Sequence, residues 1–267
     1  MFTENMFKLY FILVFILLHL SFSSFSQRKF KRFNTTDGIS INPAIGIGSV
    51  LGELGDVLRI TPTYGVNVEK GISERINAEI SVVGGILMGH ENEPYYSKFE
   101  SDYFQIQSVG IVNVSRCFAD SHTKKKIEVK CYGGIGLIWF HTNVYDLKSG
   151  FFLRTTADGN TKHTTYFQQA GTGIGDVGIF YTRELVIPFG FKVESKFNEN
   201  FGFTINLGFN WVYNDKLDGT TNYNIANPNI IGGVNSYSDT PNDIWINLSF
   251  GLKYIFSFKN SENQRGV

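Results

Sequence analysis

Histidine, serine and aspartate gather in one stretch of this sequence. Asp146, Ser149, Asp158 and His163 share it, and His141 stands at its base. These are the residue types of a hydrolase: a hydroxyl nucleophile, an imidazole base and a carboxylate to orient it. Such chemistry needs hydrogen-bond reach between the three, which proximity in sequence does not supply. No GxSxG elbow and no HExxH pair occurs, so a lipid hydrolase or protease has its ingredients here without an arranging motif. No catalytic residue is assigned. His90, His122, His141 and His163 lack the short spacing of metal ligands. No metal site, cofactor-binding residue or cofactor is expected.

A second set of ionisable residues is spread along the chain: Arg59, Glu69, Arg75, Glu79, Glu128, Lys130, Lys192, Glu194, Lys196 and Lys253. Their signs are mixed. Whether they meet depends on the elements that carry them, and those elements read as strands. From Phe201 to Trp211, Phe201, Phe203, Ile205, Leu207, Phe209 and Trp211 alternate with Gly202, Thr204, Asn206, Gly208 and Asn210. This period of two runs longer than a typical soluble strand. Residues 243–258 repeat it, blurred only at Trp245 and Ile255. Further alternating segments lie at 38–49, 57–69, 75–88, 102–116, 126–140 and 184–197. In 102–116, Phe104 and Ile106 disagree in parity with Val109 and Ile111, which predicts a β-bulge. Pro62 and Pro188 cannot donate to a ladder and are expected at a rim or bulge.

Each segment has the roughly 9–11 residues that a tilted membrane-spanning strand needs. The connections 50–56, 89–101, 141–183 and 214–242 are mostly longer than the intervening 70–74, 117–125 and 198–199, the pattern of outer loops and periplasmic turns. The expected fold is all-β: an eight-stranded antiparallel transmembrane barrel of outer-membrane type, with both termini periplasmic and two long outer loops. A soluble barrel would keep its apolar parity inside. Here the polar parity suits a narrow polar lumen, and the mixed charges predict an ion-paired plug.

Composition agrees. Lys+Arg and Asp+Glu both number 24, so the chain has no basic excess for nucleic acid. Glycine (28) and phenylalanine (25) are abundant. Mean hydropathy is only −0.08, too low for a bundle of spanning helices. Leu9 to Leu20 is an apolar run behind Lys8, too short to span a bilayer. Ser24 and Ser26 fit a cleavage site before Gln27, so residues 1–26 are expected to be a signal peptide, with Met1 or Met6 as the start. The remaining chain divides into a short periplasmic segment (27–37), the barrel (38–258) and a periplasmic tail (259–267).

The loops 141–183 and 214–242 exceed an idle connection. The second carries Tyr223, Asn224, Asn227, Asn229 and Tyr237, adaptable contact residues; a binding surface and a solvated cap are both open. Lys124, Lys125 and Lys126 form a basic turn. Cys117 and Cys131 flank it, leaving a disulfide or two free thiols as alternatives.

Several stretches resemble a known family. "INPAIGIGSVLGELGD", "TPTYGVNVEKGISERINAEISVVGGILMGHE", "CYGGIGLIWFHTN" and "ELVIPFGFKVESKFNENFGFTINLGFNWVYNDKLDGTTNY" occur in this order. They resemble the PorG-like outer-membrane barrels of Bacteroidota that are associated with type IX secretion. The block Asp215-Lys216-Leu217-Asp218-Gly219 departs from the family's more acidic form. The resemblance implies an eight-stranded outer-membrane barrel and a link to protein secretion. The expected function is a non-enzymatic barrel that anchors or organises a cell-envelope assembly. A surface hydrolase and a small passive channel are the alternatives. Expected partners are outer-membrane lipid and periplasmic or surface proteins of such an assembly, with no nucleic acid.

Overall fold

A computed structural model describes residues 38–256, apart from 53, 55–58, 74, 93–95, 118–126, 157–167, 170–181, 199, 214–215 and 220–241. The expected signal peptide, the segment 27–37 and the tail 259–267 lie outside the described residues. So do the Lys124–Lys126 turn and most of both long loops.

Alternation produces the strands. They are β1 (Ile39–Leu51), β2 (Thr61–Gly71), β3 (Ile76–Glu91), β4 (Ser97–Asn113), β5 (Ile127–Asp146), β6 (Phe152–Thr155), β7 (Gln168–Gln169), β8 (Thr182–Lys196), β9 (Phe201–Val212) and β10 (Ile244–Phe256). One helical turn, α1 (Val114–Cys117), follows β4. Neighbours pair antiparallel in the order β4-β3-β2-β1-β10-β9-β8-β5, and β4 also pairs with β5. That last pairing closes the sheet into an eight-stranded antiparallel barrel. The small strands β6 and β7 continue from the upper half of β5 as an extra hairpin.

The barrel is apolar outside and polar inside. In β9, Phe201, Phe203, Ile205, Leu207, Phe209 and Trp211 face out, while Thr204 and Asn210 are buried in the lumen. Trp245 has the opposite fate to its apolar neighbours: it turns inward and is 1% exposed.

Three expectations change. β4 has no bulge: its ladders to β3 and β5 run unbroken from Ser97 to Asn113. Val109 and Ile111 simply point into the lumen, and opposite Val109 Gly134 leaves room; a Cβ there would lie 2.8 Å from Val109 Cγ1. Pro188 sits in mid-strand without a bulge. The β5–β8 pairing lapses around it and resumes at the same register, because proline lacks the donor but need not shift the strand. Pro62, by contrast, lies at the start of β2 as expected. Finally, β3, β4 and β5 extend beyond the apolar belt, so their connection is the short 92–96 rather than 89–101. The sequence pattern hid this extension because its outward residues, Lys98, Glu100 and Asp102, are polar.

Candidate functional site

The lumen is built in layers. Nearest the short turns is an ion lattice. Lys130 Nζ donates to Glu69 Oε1 at 2.9 Å and to Glu194 Oε2 at 2.7 Å. Lys253 Nζ donates to Glu69 Oε2 at 2.6 Å and to Glu194 Oε1 at 2.9 Å. The four groups form a ring of alternating charge, every member buried. Lys192 pairs with Glu79 beside it, and Asn77 donates to Glu69. At the rim Arg116 pairs with Glu128, which also accepts from Asn113 Nδ2 at 2.9 Å.

Glu69, Glu79, Glu128 and Glu194 are thus matched by Lys130, Lys192, Lys253 and Arg116. Burial of these charges is tolerable only because each carboxylate meets a cation. Register brings them together: Glu69 faces Glu79 across β2–β3, and Lys130 faces Lys192 while Glu128 faces Glu194 across β5–β8. Arg59, Arg75 and Lys196, also expected inside, are not in the lattice. Arg59 precedes β2 and Lys196 ends β8, both exposed; Arg75 is half-buried in a turn. Alternation stops at the rims, so parity no longer sets their direction. Arg116 was missed for the same reason, since α1 rather than a strand positions it.

Above the lattice lies an amide layer. Gln105 Nε2 donates to Gln107 Oε1 at 2.6 Å and Asn210 Oδ1 at 2.8 Å. Above that comes an apolar plug of Trp245, Tyr103, Leu87, Ile138, Phe140, Val186 and Val212. Two residues from the long connections complete it. Leu54 and Leu217 are both fully buried in the same cluster.

Their seating is a polar latch. Asp218 Oδ2 accepts from the Leu54 amide at 3.0 Å, and Asp243 Oδ2 accepts from the Leu217 amide at 2.7 Å. Thr142 Oγ1 donates to the Leu217 carbonyl at 2.9 Å. Gly219 closes the turn with φ +80°, and a Cβ there would collide with Val144 Cγ2. Glycine is the residue that fits this left-handed, crowded position. The latch ties the first and last long connections to β5.

Ser149 has a local task. Its hydroxyl donates to Asp146 Oδ1 at 2.6 Å, and its amide donates to the same oxygen at 2.7 Å. This is an Asx turn leading into β6. Asp158 and His163 lie outside the described residues. His141 stands in β5 on the outward parity, opposite Asp102. His90 is in β3, and His122 is outside the described residues. Among the described residues no group of three or more His, Cys, Asp or Glu could hold a metal ion. Cys131 faces Val112 across β4–β5, whereas Cys117 is exposed in α1; both thiols are free.

The outer face is an apolar belt with aromatic margins. Ile45, Val66, Ile80, Ile135, Phe191 and Leu252 are exposed within it. Toward the long connections Phe104 meets Trp139, and Trp211 meets Tyr213. Toward the short turns Tyr254 meets Phe201 and Phe256. Charge returns beyond these rings, at Asp102 and Arg183 on one side and Lys70 and Lys196 on the other. Water would not tolerate so wide an apolar face. Lipid does, and closing the barrel leaves no open sheet edge within it.

The chain is therefore a transmembrane β-barrel of the bacterial outer membrane. No protein-family model matches it, and no curated protein does. Solved structures with the same architecture are distant. Neisserial surface protein A is 13% identical, over 82% of this chain and 97% of that one, with a TM-score of 0.40. Ail, the attachment invasion locus protein of Yersinia pestis, is 10% identical over 82% and 99%, with a TM-score of 0.42. A major outer membrane protein of Thermus thermophilus is 12% identical over 82% and 99%, with a TM-score of 0.43. Nothing of those proteins' functions passes to this chain through likeness of this degree.

Proposed function

We infer that this barrel is a non-enzymatic anchor that organises a cell-envelope assembly through the surfaces at its two ends. The observation that carries this reading is the filled lumen. A charge-balanced lattice, an amide layer and an apolar plug stand in series, and an eight-stranded barrel has little more room than its side chains need. Such an interior favours a structural pillar over a passive channel. The Ser149 hydroxyl donates to Asp146 Oδ1 within the turn into β6, which supports a structural role for this pair. Function then falls to the ends. The long connections face outward and the short turns and both termini face the periplasm, as loop length argues. Outer-membrane lipid surrounds the belt. The resemblance of the sequence to barrels associated with type IX secretion makes protein secretion in Bacteroidota the process to examine first.

The test is crosslinking in intact cells. A photoreactive amino acid at Phe151, which is 72% exposed beyond the long-connection end, probes one surface. A thiol-directed crosslinker at exposed Cys117 probes the other. The proposal expects a discrete protein adduct from at least one end and no ion conductance in planar bilayers. Adducts from neither end, or steady single-channel currents from the purified barrel, overturn it.

A further inference from the structure

Where β4 and β5 rise past the apolar belt, their two faces differ. The inward parity is already packed, with Phe99, Phe140 and Val144 in the plug. The outward parity forms a series of levels. Phe104 and Trp139 close the belt, with exposed Arg183 opposite Trp139. Exposed Asp102 and Glu100 follow, opposite His141 and Asn143. Lys98 comes next, opposite Tyr145. Charge therefore runs positive, negative, positive away from the membrane.

At the top level aromatic and basic groups converge. Phe152 lies edge-on to Tyr145 with ring centroids 5.9 Å apart, and Lys98 Nζ lies 5.9 Å from the centre of the Tyr145 ring. Lys148 Nζ stands 4.9 Å over the Tyr96 ring. Tyr96 has a left-handed backbone, φ +46°, and no other non-glycine residue among those described does. Its turn is pinned on both sides. The Tyr96 amide donates to the Asn92 carbonyl at 3.0 Å, and the Tyr96 carbonyl accepts from the Leu147 amide at 2.7 Å. Strain of this kind persists where the surroundings impose it, and it concentrates at ligand clamps. Phe152 remains exposed at this level.

We propose that this face binds one lipopolysaccharide molecule of the outer leaflet, through its anionic sugars as well as its acyl chains. The proposal rests on the long connections facing outward. Two observations choose the occupant. The face is continuous with the lipid belt, so an amphiphile reaches it without leaving the membrane. Its cations also stand at two heights with carboxylates between them. Trp139 and Tyr145 are six residues apart, about 20 Å along the strand and about 14 Å in height at a tilt of about 45°. A phospholipid has one anionic level, at the membrane surface. Lipopolysaccharide has two: phosphates on the acylated glucosamines, and the anionic core sugars above them. Arg183 meets the first level, and Lys98 with Lys148 meets the second. Phe152 offers an apolar face to a sugar ring. Asp102 and Glu100 fall between the levels, where carboxylates accept hydrogen bonds from sugar hydroxyls.

The experiment titrates the full barrel, in zwitterionic micelles, with purified lipopolysaccharide that bears a phosphorylated core. Native mass spectrometry reads the one-to-one adduct. Arg183→Ala, Lys98→Ala and Lys148→Ala should each weaken it about fivefold, the worth of one cation near an anionic surface. Lys70→Ala with Lys196→Ala, at the opposite margin, should leave it unchanged. Lipid A without core sugars should respond to Arg183→Ala but not to Lys98→Ala or Lys148→Ala. Retained band shift on unheated gels verifies that each variant is folded. Absence of an adduct with the parent barrel overturns the proposal. So does an equal loss in the Lys70→Ala, Lys196→Ala variant, or an equal loss for lipid A when Lys98 and Lys148 are replaced. Orientation is read separately, by thiol labelling of intact cells, so failure of the adduct and inversion of the barrel are distinct results.

Discussion

Replacing Lys253 by methionine should unbalance the ion lattice. Lys253 bridges Glu69 and Glu194 at 2.6 and 2.9 Å, and Lys130 alone would then serve both carboxylates. Removing one partner from a buried pair costs about 3–5 kcal/mol, because the charge left behind stays desolvated. With a urea slope near 3 kcal/mol per molar, the upper end for a small protein, a loss of about 4 kcal/mol lowers the midpoint by about 1.3 M. Folding into lipid vesicles, followed as the fraction of compact band on unheated gels, reads this midpoint. The compensating change distinguishes charge balance from packing. Adding Glu69→Gln removes the stranded negative charge and leaves Lys130 with Glu194 at 2.7 Å. The double variant should therefore recover about 1–3 kcal/mol relative to the sum of the two single losses. A single variant within about 0.5 kcal/mol of the parent, or strict additivity in the double, refutes the lattice as a coupled unit.

The latch makes its own prediction. Gly219→Ala places a Cβ in a left-handed backbone position against Val144, and should cost about 2–4 kcal/mol from strain and overpacking together; unchanged urea midpoint and unchanged protease resistance near Leu217 would count against the latch. The thiols report on both redox state and orientation. Alkylation of the native protein without reductant should modify both Cys117 and Cys131, and recovery of an intact bridge contradicts the structure. In a Cys131→Ser background, a membrane-impermeant maleimide should reach Cys117 only after the outer membrane is permeabilised, whereas a Cys117→Ser, Cys131→Ser, Ser149→Cys variant should react on intact cells. The reverse pattern would invert the barrel. Ser149→Ala and His163→Ala should leave any cell-surface phenotype unchanged, and loss of a hydrolytic activity in either would revive the enzyme.

What could be read from sequence follows one physical distinction. Where lipid faces a strand, the outward side must be apolar, and Phe201 through Trp211 declared both strand and direction. The lattice was legible because a charge on the opposite parity has nowhere to go but the lumen, as at Glu69, Lys130, Glu194 and Lys253. The inward side is less constrained. It accepts apolar residues as well as polar ones, with a facing glycine making room at Val109, so Val109, Ile111 and Trp245 blurred the pattern, and an unnecessary bulge was expected in β4. Above the belt the outward side turns polar, which hid the extension of β3, β4 and β5. The latch was invisible. Leu54 and Leu217 sit in connections, and their burial depends on hydrogen bonds from their amides to Asp218 and Asp243, both far from Leu54 in sequence.

The inside-out barrel is tested most directly by its three tryptophans. Trp139 and Trp211 belong to the lipid-facing parity, and Trp245 is 1% exposed inside the plug. Three variants, each keeping one tryptophan and carrying phenylalanine at the other two positions, can be folded into vesicles with bromine on the acyl chains. Fluorescence of Trp139 and Trp211 should be strongly quenched, and that of Trp245 should be nearly unaffected. Strong quenching of Trp245 with Trp139 and Trp211 spared would mean that the aromatic parity faces inward, and the membrane barrel described above would be wrong.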